Sequence, residues 1–186
     1  MQSSISDINT WRADLRGKSG ALLMLAFAIF SGYRWTASGD MFFILLMIRE
    51  LTAVFFFLRR RAALAQSSKL VSMLSYFSSA LPLFYLAPLG SASVFLISIS
   101  HLFSIVGFLI ATLATLELGN RMAVSPAVRG ERCRSGVYRY FRHPMYTGYV
   151  LAEFGLVLSN PMNLLLFAAS IAGYWLRSKK EDELFG

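Results

Sequence analysis

His143 stands where an arginine-rich stretch meets an apolar one, in the run Ser135-Gly136-Val137-Tyr138-Arg139-Tyr140-Phe141-Arg142-His143-Pro144-Met145-Tyr146-Thr147-Gly148. Pro144 disfavours a helical conformation at His143 and suits the first turn of a helix that follows. The open N–H groups of that helix start would then gather beside an imidazole and a phenol, a place suited to a carboxylate or another anion. Gly148 would let another backbone or a flat ligand approach closely. A second group of reactive types closes the chain, Arg177-Ser178-Lys179-Lys180-Glu181-Asp182-Glu183. Arg177 and Glu181 are four apart and share a face if a helix runs through them. Taken separately, the two motifs read more simply as membrane-flanking arginines and a solvated, dipole-balancing tail.

Four further polar positions fall inside apolar runs. Arg49 and Glu50 lie in the middle of one, where a charge costs roughly 2.5–3.5 kcal/mol on insertion scales. Neighbours on a helix point about 100° apart, so the two do not neatly pair with each other. Glu153, in a later run, is the expected partner of Arg49. The group is either a pocket for a substrate head or an interhelical ion pair that fixes packing. Glu153 or Glu50 could also deprotonate an amine or thiol substrate. His101 is expected to be neutral and bonded to a backbone carbonyl or a hydroxyl.

These residues must be positioned by membrane helices. Of the 186 residues, 56% are hydrophobic and only 15% charged, and the mean hydropathy is +0.55, which sets the chain apart from soluble domains. Six apolar runs stand out, at about 19–37, 41–58, 70–89, 92–116, 145–159 and 161–176, against the roughly 20 residues a spanning helix needs. Only Asn160-Pro161 divides the last two, so they are expected to form a tight helical hairpin. Ser31-Gly32-Tyr33-Arg34 is a poor cleavage site, and the first run is expected to be a retained helix. The fold expected is all-α: a polytopic transmembrane bundle of five or six helices, with a C-terminal hairpin and a cytoplasmic cofactor-binding loop. Residues 1–116 would form a four-helix membrane bundle. Residues 117–186 would supply the loop, hairpin and acidic tail of the same single domain.

Charge gives the orientation. All Lys and Arg except Arg34 and Arg49 fall in four clusters: Arg12 to Lys18, Arg59 to Lys69, Arg121 to Arg142, and Arg177 to Lys180. Six crossings put all four on one side, which the positive-inside rule makes cytoplasmic, with both termini there. That membrane would be the inner membrane of a bacterium or the endoplasmic reticulum of a eukaryote. The net charge of +8 is divided among these clusters and does not form a nucleic-acid footprint. Cys133 is the single cysteine and His101 and His143 are far apart, so no disulfide and no metal site is expected. The stretch from Glu117 to Arg142 is long for a loop in so small a protein, and loops of that length are usually functional or disordered. Tyr138, Tyr140, Phe141 and its glycines suggest that it packs onto something.

Order and spacing carry a resemblance. Leu118-Gly119, Gly136-Val137-Tyr138, Arg142-His143-Pro144, Tyr146, Gly148, Asn160-Pro161 and the Glu181 cluster follow one another over about 118–184. This resembles the isoprenylcysteine carboxyl methyltransferase family, whose wider relatives are membrane phospholipid N-methyltransferases. The resemblance implies S-adenosylmethionine as methyl donor and S-adenosylhomocysteine as product. It implies a cofactor pocket made by Gly130, Glu131, Arg132, Cys133, Tyr138, His143, Pro144, Met145, Tyr146 and Glu181. It places Arg177 toward the substrate, where it would orient a carboxylate, with Glu153 as the other catalytic candidate. The acceptor implied is lipidic or otherwise hydrophobic, reached from the membrane and methylated most like an isoprenylcysteine carboxylate. Alternatives are a phospholipid N-methyltransferase, an NADPH-dependent sterol-reductase-like enzyme with a related RHPxYxG motif, and a non-catalytic membrane scaffold. Glu181, Asp182 and Glu183 are expected to repel a phosphate-rich cofactor. The oligomeric state is not specified.

Overall fold

The computed structural model describes residues 2–186, with side chains described from Lys18 onward. Arg12 and Arg16, assigned above to the basic N-terminal cluster, lie outside the residues whose side chains are described. Six helices follow one another: α1 (Gln2–Ser38), α2 (Met41–Leu58), α3 (Lys69–Ala80), α4 (Val94–Leu118), α5 (Pro144–Ser159) and α6 (Leu164–Phe185). The chain is an all-α membrane protein. Lys18–Ser38, Met41–Leu58 and Val94–Arg121 are long and apolar enough to cross a bilayer. Many large apolar side chains on their outer faces are exposed, among them Leu22, Ile29, Phe55 and Leu109, as lipid-facing helices require.

Small residues bring α4 and α5 together. Ser100, Ser104, Gly107 and Ala111 on α4 are buried against Gly148, Ala152, Gly155 and Ser159 on α5. A Cβ on Gly107 would stand 2.4 Å from the carbonyl oxygen of Gly148, and one on Gly148 would stand 2.5 Å from that of Gly107. Without a hydrophobic drive between helices inside lipid, such close backbone packing is a principal source of association. The close approach anticipated at Gly148 is therefore made by a neighbouring helix. Phe42, Phe108, Tyr149, Leu156 and Tyr174 fill the core beside this seam.

The third apolar run departs from expectation. It does not form one continuous helix: α3 ends at Ala80, a 3₁₀ turn covers Leu81–Phe84, and coil follows. Pro82 cannot continue the helical hydrogen-bond ladder. Irregular backbone at membrane depth is tolerated only when its polar groups are satisfied by protein, and here they are. Arg34 donates to the carbonyls of Leu83 (2.7 Å) and Tyr85 (2.5 Å). Asn163 accepts from the Leu86 N–H at 2.7 Å and donates to the Leu86 carbonyl at 2.9 Å. Asn160 donates to the Ala87 carbonyl at 2.8 Å. The Asn-Pro turn between α5 and α6 thus clamps the broken segment as well as reversing the chain.

At the opposite, arginine-rich end, β1 (Ala65–Gln66) and β2 (Ala127–Val128) pair antiparallel and tie the α2–α3 loop to the long α4–α5 loop. Arg61 N–H donates to the Asn120 carbonyl at 2.8 Å beside them. The long loop packs through Tyr138, which joins the edge of the core. Tyr140 and Phe141, expected to pack with it, are instead 79% and 42% exposed.

Candidate functional site

The turn Gly136–Arg139 is the hinge of the site. Gly136 adopts φ +52°, a conformation that glycine reaches without steric cost. A Cβ there would lie 1.7 Å from a carboxylate oxygen of Glu117. That carboxylate accepts from the Val137 N–H with both oxygens, at 3.0 and 3.1 Å, and so sets the position of Tyr138. Arg121 fastens the preceding stretch by donating to the carbonyls of Glu131 (3.1 Å) and Glu117 (3.3 Å). Glu117 and Arg121 are thus positioning residues, a role that their place in the sequence does not announce. A glutamate at a helix end, twenty residues from the turn that it caps, leaves no local signal.

His143 forms the N-terminal boundary of α5, with Pro144 in the first turn, and no side chain caps the helix. Its amides at that end stay open, as the Pro144 argument anticipated. The hairpin brings the end of α6 back to this point. His143 Nδ1 lies 3.3 Å from Glu181 Oε2, and Nε2 lies 3.3 Å from Asp182 Oδ1. Nε2 is buried and has no hydrogen-bond partner. The Tyr146 hydroxyl donates to Glu181 at 2.7 Å, and the rings of His143 and Tyr146 stack at 5.8 Å. Burial pulls the His143 pKa down, but Glu181 and then Asp182 outweigh it and leave the imidazole above its ordinary value. Burial, followed by the charge of Glu181, raises the Tyr138 phenol.

The three tail acids have separate fates. Glu181 faces the cleft. Asp182 is taken up by Arg132 and Arg142, the latter at 3.1 Å. Burial acts to raise its pKa, yet Arg132 and His143 hold the carboxyl below the usual range. Glu183 pairs with Lys180 at 2.5 Å. The tail is therefore not the bare acidic wall expected to repel phosphate, because arginines neutralise part of it.

Together these groups line a cleft enclosing about 730 Å³ of empty space, part of it open to solvent. Its walls include Gly130, Glu131, Arg132, Cys133, Tyr138, His143, Met145, Tyr146 and Glu181. Of the positions assigned to a cofactor pocket, Pro144 alone stands behind the wall, as the first residue of α5. Arg121, Arg129 and Arg142 complete the rim.

A second, much smaller space lies beneath the first, among Arg49, Glu50, Phe108, Tyr149, Glu153, Tyr174 and Arg177. Here the expected pairing is corrected. Arg49 does not meet Glu153 but bonds its own neighbour Glu50 at 2.9 Å, with its guanidinium over the Tyr149 ring at 4.8 Å. Long side chains such as these curl across the roughly 100° between adjacent Cα–Cβ bonds and so reach each other. Glu153 accepts from Tyr85 (2.8 Å) and Tyr174 (2.5 Å), so both its oxygens are occupied. Arg177 is 1% exposed. It donates to Ser79 at 3.0 Å, and its guanidinium lies 4.9 Å over the Tyr146 ring. Arg177 Nε and Nη2, Arg49 Nε, Glu50 Oε2 and Tyr149 Oη are buried without partners. Orphaned polar atoms in this number are costly, and they converge on one cavity. His101 makes no hydrogen bond among the described residues, contrary to expectation.

Tyr146 and Arg177 stand between the two spaces, the Tyr146 hydroxyl toward the upper cleft and its ring against Arg177, which lines the lower one. The residues of the upper cleft fit S-adenosylmethionine: a carboxylate for an ammonium, arginines and open amides for a carboxylate, and aromatic faces for a ring or a cation. A family model for phospholipid methyltransferase matches residues 95–185, from the first turn of α4 to the end of α6. No curated protein and no solved structure matches the chain. The match spans just under half of the chain and supports a membrane methyltransferase.

Proposed function

We propose that the chain transfers a methyl group from S-adenosylmethionine to a hydrophobic or lipid-linked acceptor at the cytoplasmic face of its membrane, most like carboxyl O-methylation of an isoprenylcysteine. The observation that carries this reading is the shared wall: Tyr146 and Arg177 separate a polar cleft at the arginine-rich end from a buried cavity within the bundle. The positive-inside rule puts that end, and both termini, in the cytoplasm.

When bound, S-adenosylmethionine supplies an electrophilic methyl group on a positively charged sulfur. Glu181 and His143 would hold its amino-acid portion together with the open amides of α5. Tyr138 and Tyr146 would offer aromatic faces, and residues 130–133 would contribute largely through their backbone. Arg177 would orient an acceptor carboxylate, which is already nucleophilic and needs no general base. With both oxygens bonded, Glu153 acts by fixing Tyr174 and Tyr85, the first of which stacks on Tyr146 at 5.7 Å. Burial around the lower cavity would keep water from competing for the methyl group.

One observation favours a second acceptor. Glu50 keeps one oxygen unpartnered in the lower cavity and could take the proton of an amine, as phospholipid N-methylation requires. Purified protein given radiolabelled S-adenosylmethionine with either a farnesylated cysteine or phosphatidylethanolamine vesicles distinguishes the two acceptors. Arg177→Ala should abolish transfer with donor binding largely kept. Turnover that survives with every acceptor reduces Arg177 to a structural cation. Stabilisation by S-adenosylhomocysteine supports the methyltransferase reading, by NADPH a reductase, and by neither a scaffold.

A further inference from the structure

Arg49 on α2 and Arg177 on α6 face the same small space within the bundle. Their guanidiniums lie over the rings of Tyr149 and Tyr146, at 4.8 and 4.9 Å. Those tyrosines are three apart on α5 and share a face, so the two cations stand as neighbours along it. Among the described residues, four buried donors here have no hydrogen-bond partner: Nε and Nη2 of Arg177, Nε of Arg49 and the Tyr149 hydroxyl. Against them stands one open acceptor, Glu50 Oε2. Turning the Tyr149 hydroxyl onto Glu50 satisfies those two and leaves the guanidinium nitrogens unmet. Glu153 is turned to Tyr85 and Tyr174.

The complement of such a wall is rich in acceptors. A carboxylate brings two oxygens with about four lone-pair sites and meets guanidinium groups in a planar fork. An ammonium brings donors only, and a like charge beside two arginines. Size narrows the match. The space offers about 10 Å³, close to the room of one water molecule, so only a terminus of a few atoms reaches it. Phe42, Leu46, Pro82 and Phe108 on the same wall suit an apolar body behind that terminus. Glu50 holds Arg49 by Nη1 at 2.9 Å, which leaves the Nε edge open.

We infer that Arg49 is a second anion-holding residue of the acceptor site, and that it makes the site selective for an acceptor ending in a carboxylate over one ending in an amine. This rests on the methyl-transfer reading, in which Arg177 orients the acceptor. Arg49 shares the carboxylate with Arg177, and Glu50 keeps the Arg49 guanidinium in place.

The test compares a farnesylated cysteine as acceptor with its neutral carboxamide as competitor, on the purified full chain. The wild type should favour the acid, read as the KM of the acid against the inhibition constant of the amide. That preference should fall about 10-fold in Arg49→Gln/Glu50→Gln, with affinity for S-adenosylhomocysteine kept. The double variant removes the ion pair without leaving one buried charge alone. Glu50→Gln by itself, which retains the Arg49 cation, should keep or increase the preference. A preference unchanged in the double variant, or lowered in Glu50→Gln alone, overturns the role of Arg49 and leaves the methyl-transfer reading standing. A wild-type chain that binds S-adenosylhomocysteine yet methylates no carboxylate sinks the reading, and this inference with it.

Discussion

His143 and Glu181 are separated in sequence by a whole helical hairpin yet lie in ionic contact at 3.3 Å. Because the folded pKa of His143 is raised, its contribution to stability is fully present below its unfolded value of about 6.5 and lost as pH rises through the folded value. Ligand-free protein should therefore lose Tm between mildly acidic and mildly alkaline pH, and His143→Gln should flatten that slope. A slope unchanged in the variant would mean that the contact carries no net energy. Gly136 makes a sharper test of local structure. Gly136→Ala places a methyl group in a left-handed conformation and against the Glu117 carboxylate; a cost of about 1–3 kcal/mol is expected, together with weakened donor binding through Tyr138. Native stability and donor affinity in Gly136→Ala would show that the turn does not position the site. At this scale the sequence made the types of His143, Tyr146, Glu181 and Arg177 legible, because motif spacing ties them to a helix start and a helix end. The partners of Arg49 and Glu153 were not legible. Rotamers and tertiary packing choose among several polar groups buried at similar depth, and no periodicity encodes that choice.

Helices and turns were easier to anticipate. The second run, 41–58, coincides with α2, and α5 begins within a residue of the predicted start because Pro144 opens it. Length and hydropathy alone could not reveal the break at Pro82. It depends on Arg34, Asn160 and Asn163 arriving from other elements to satisfy the freed backbone. The α4–α5 seam is the element on which the site rests, since it fixes both Glu117 at the end of α4 and His143 at the start of α5. Gly148→Val should force these helices apart at a cost of about 3 kcal/mol, read as a lowered Tm, whereas Gly90→Ala, which has open space around it, should be neutral. Equal stability of the two variants would argue against the seam as the organising contact.

Across the whole molecule, three basic clusters converge at one end through β1–β2 pairing, the Arg61–Asn120 bond and the contacts of Arg132 and Arg142 with Asp182. The same charges that bias topology during insertion thus assemble the cleft after folding. The return of the acidic tail beside His143 followed from the Asn-Pro hairpin and could be anticipated. The division into two spaces could not, because it depends on the Tyr146 ring packing against the Arg177 guanidinium between them. Calorimetric titration of the detergent-solubilised chain with S-adenosylhomocysteine tests the arrangement most directly. One site per chain is predicted, weakened about 10- to 100-fold by His143→Ala through loss of a charge-assisted contact and nearly unchanged by Arg177→Ala. No binding to the wild-type chain, or wild-type affinity in His143→Ala, would contradict the account.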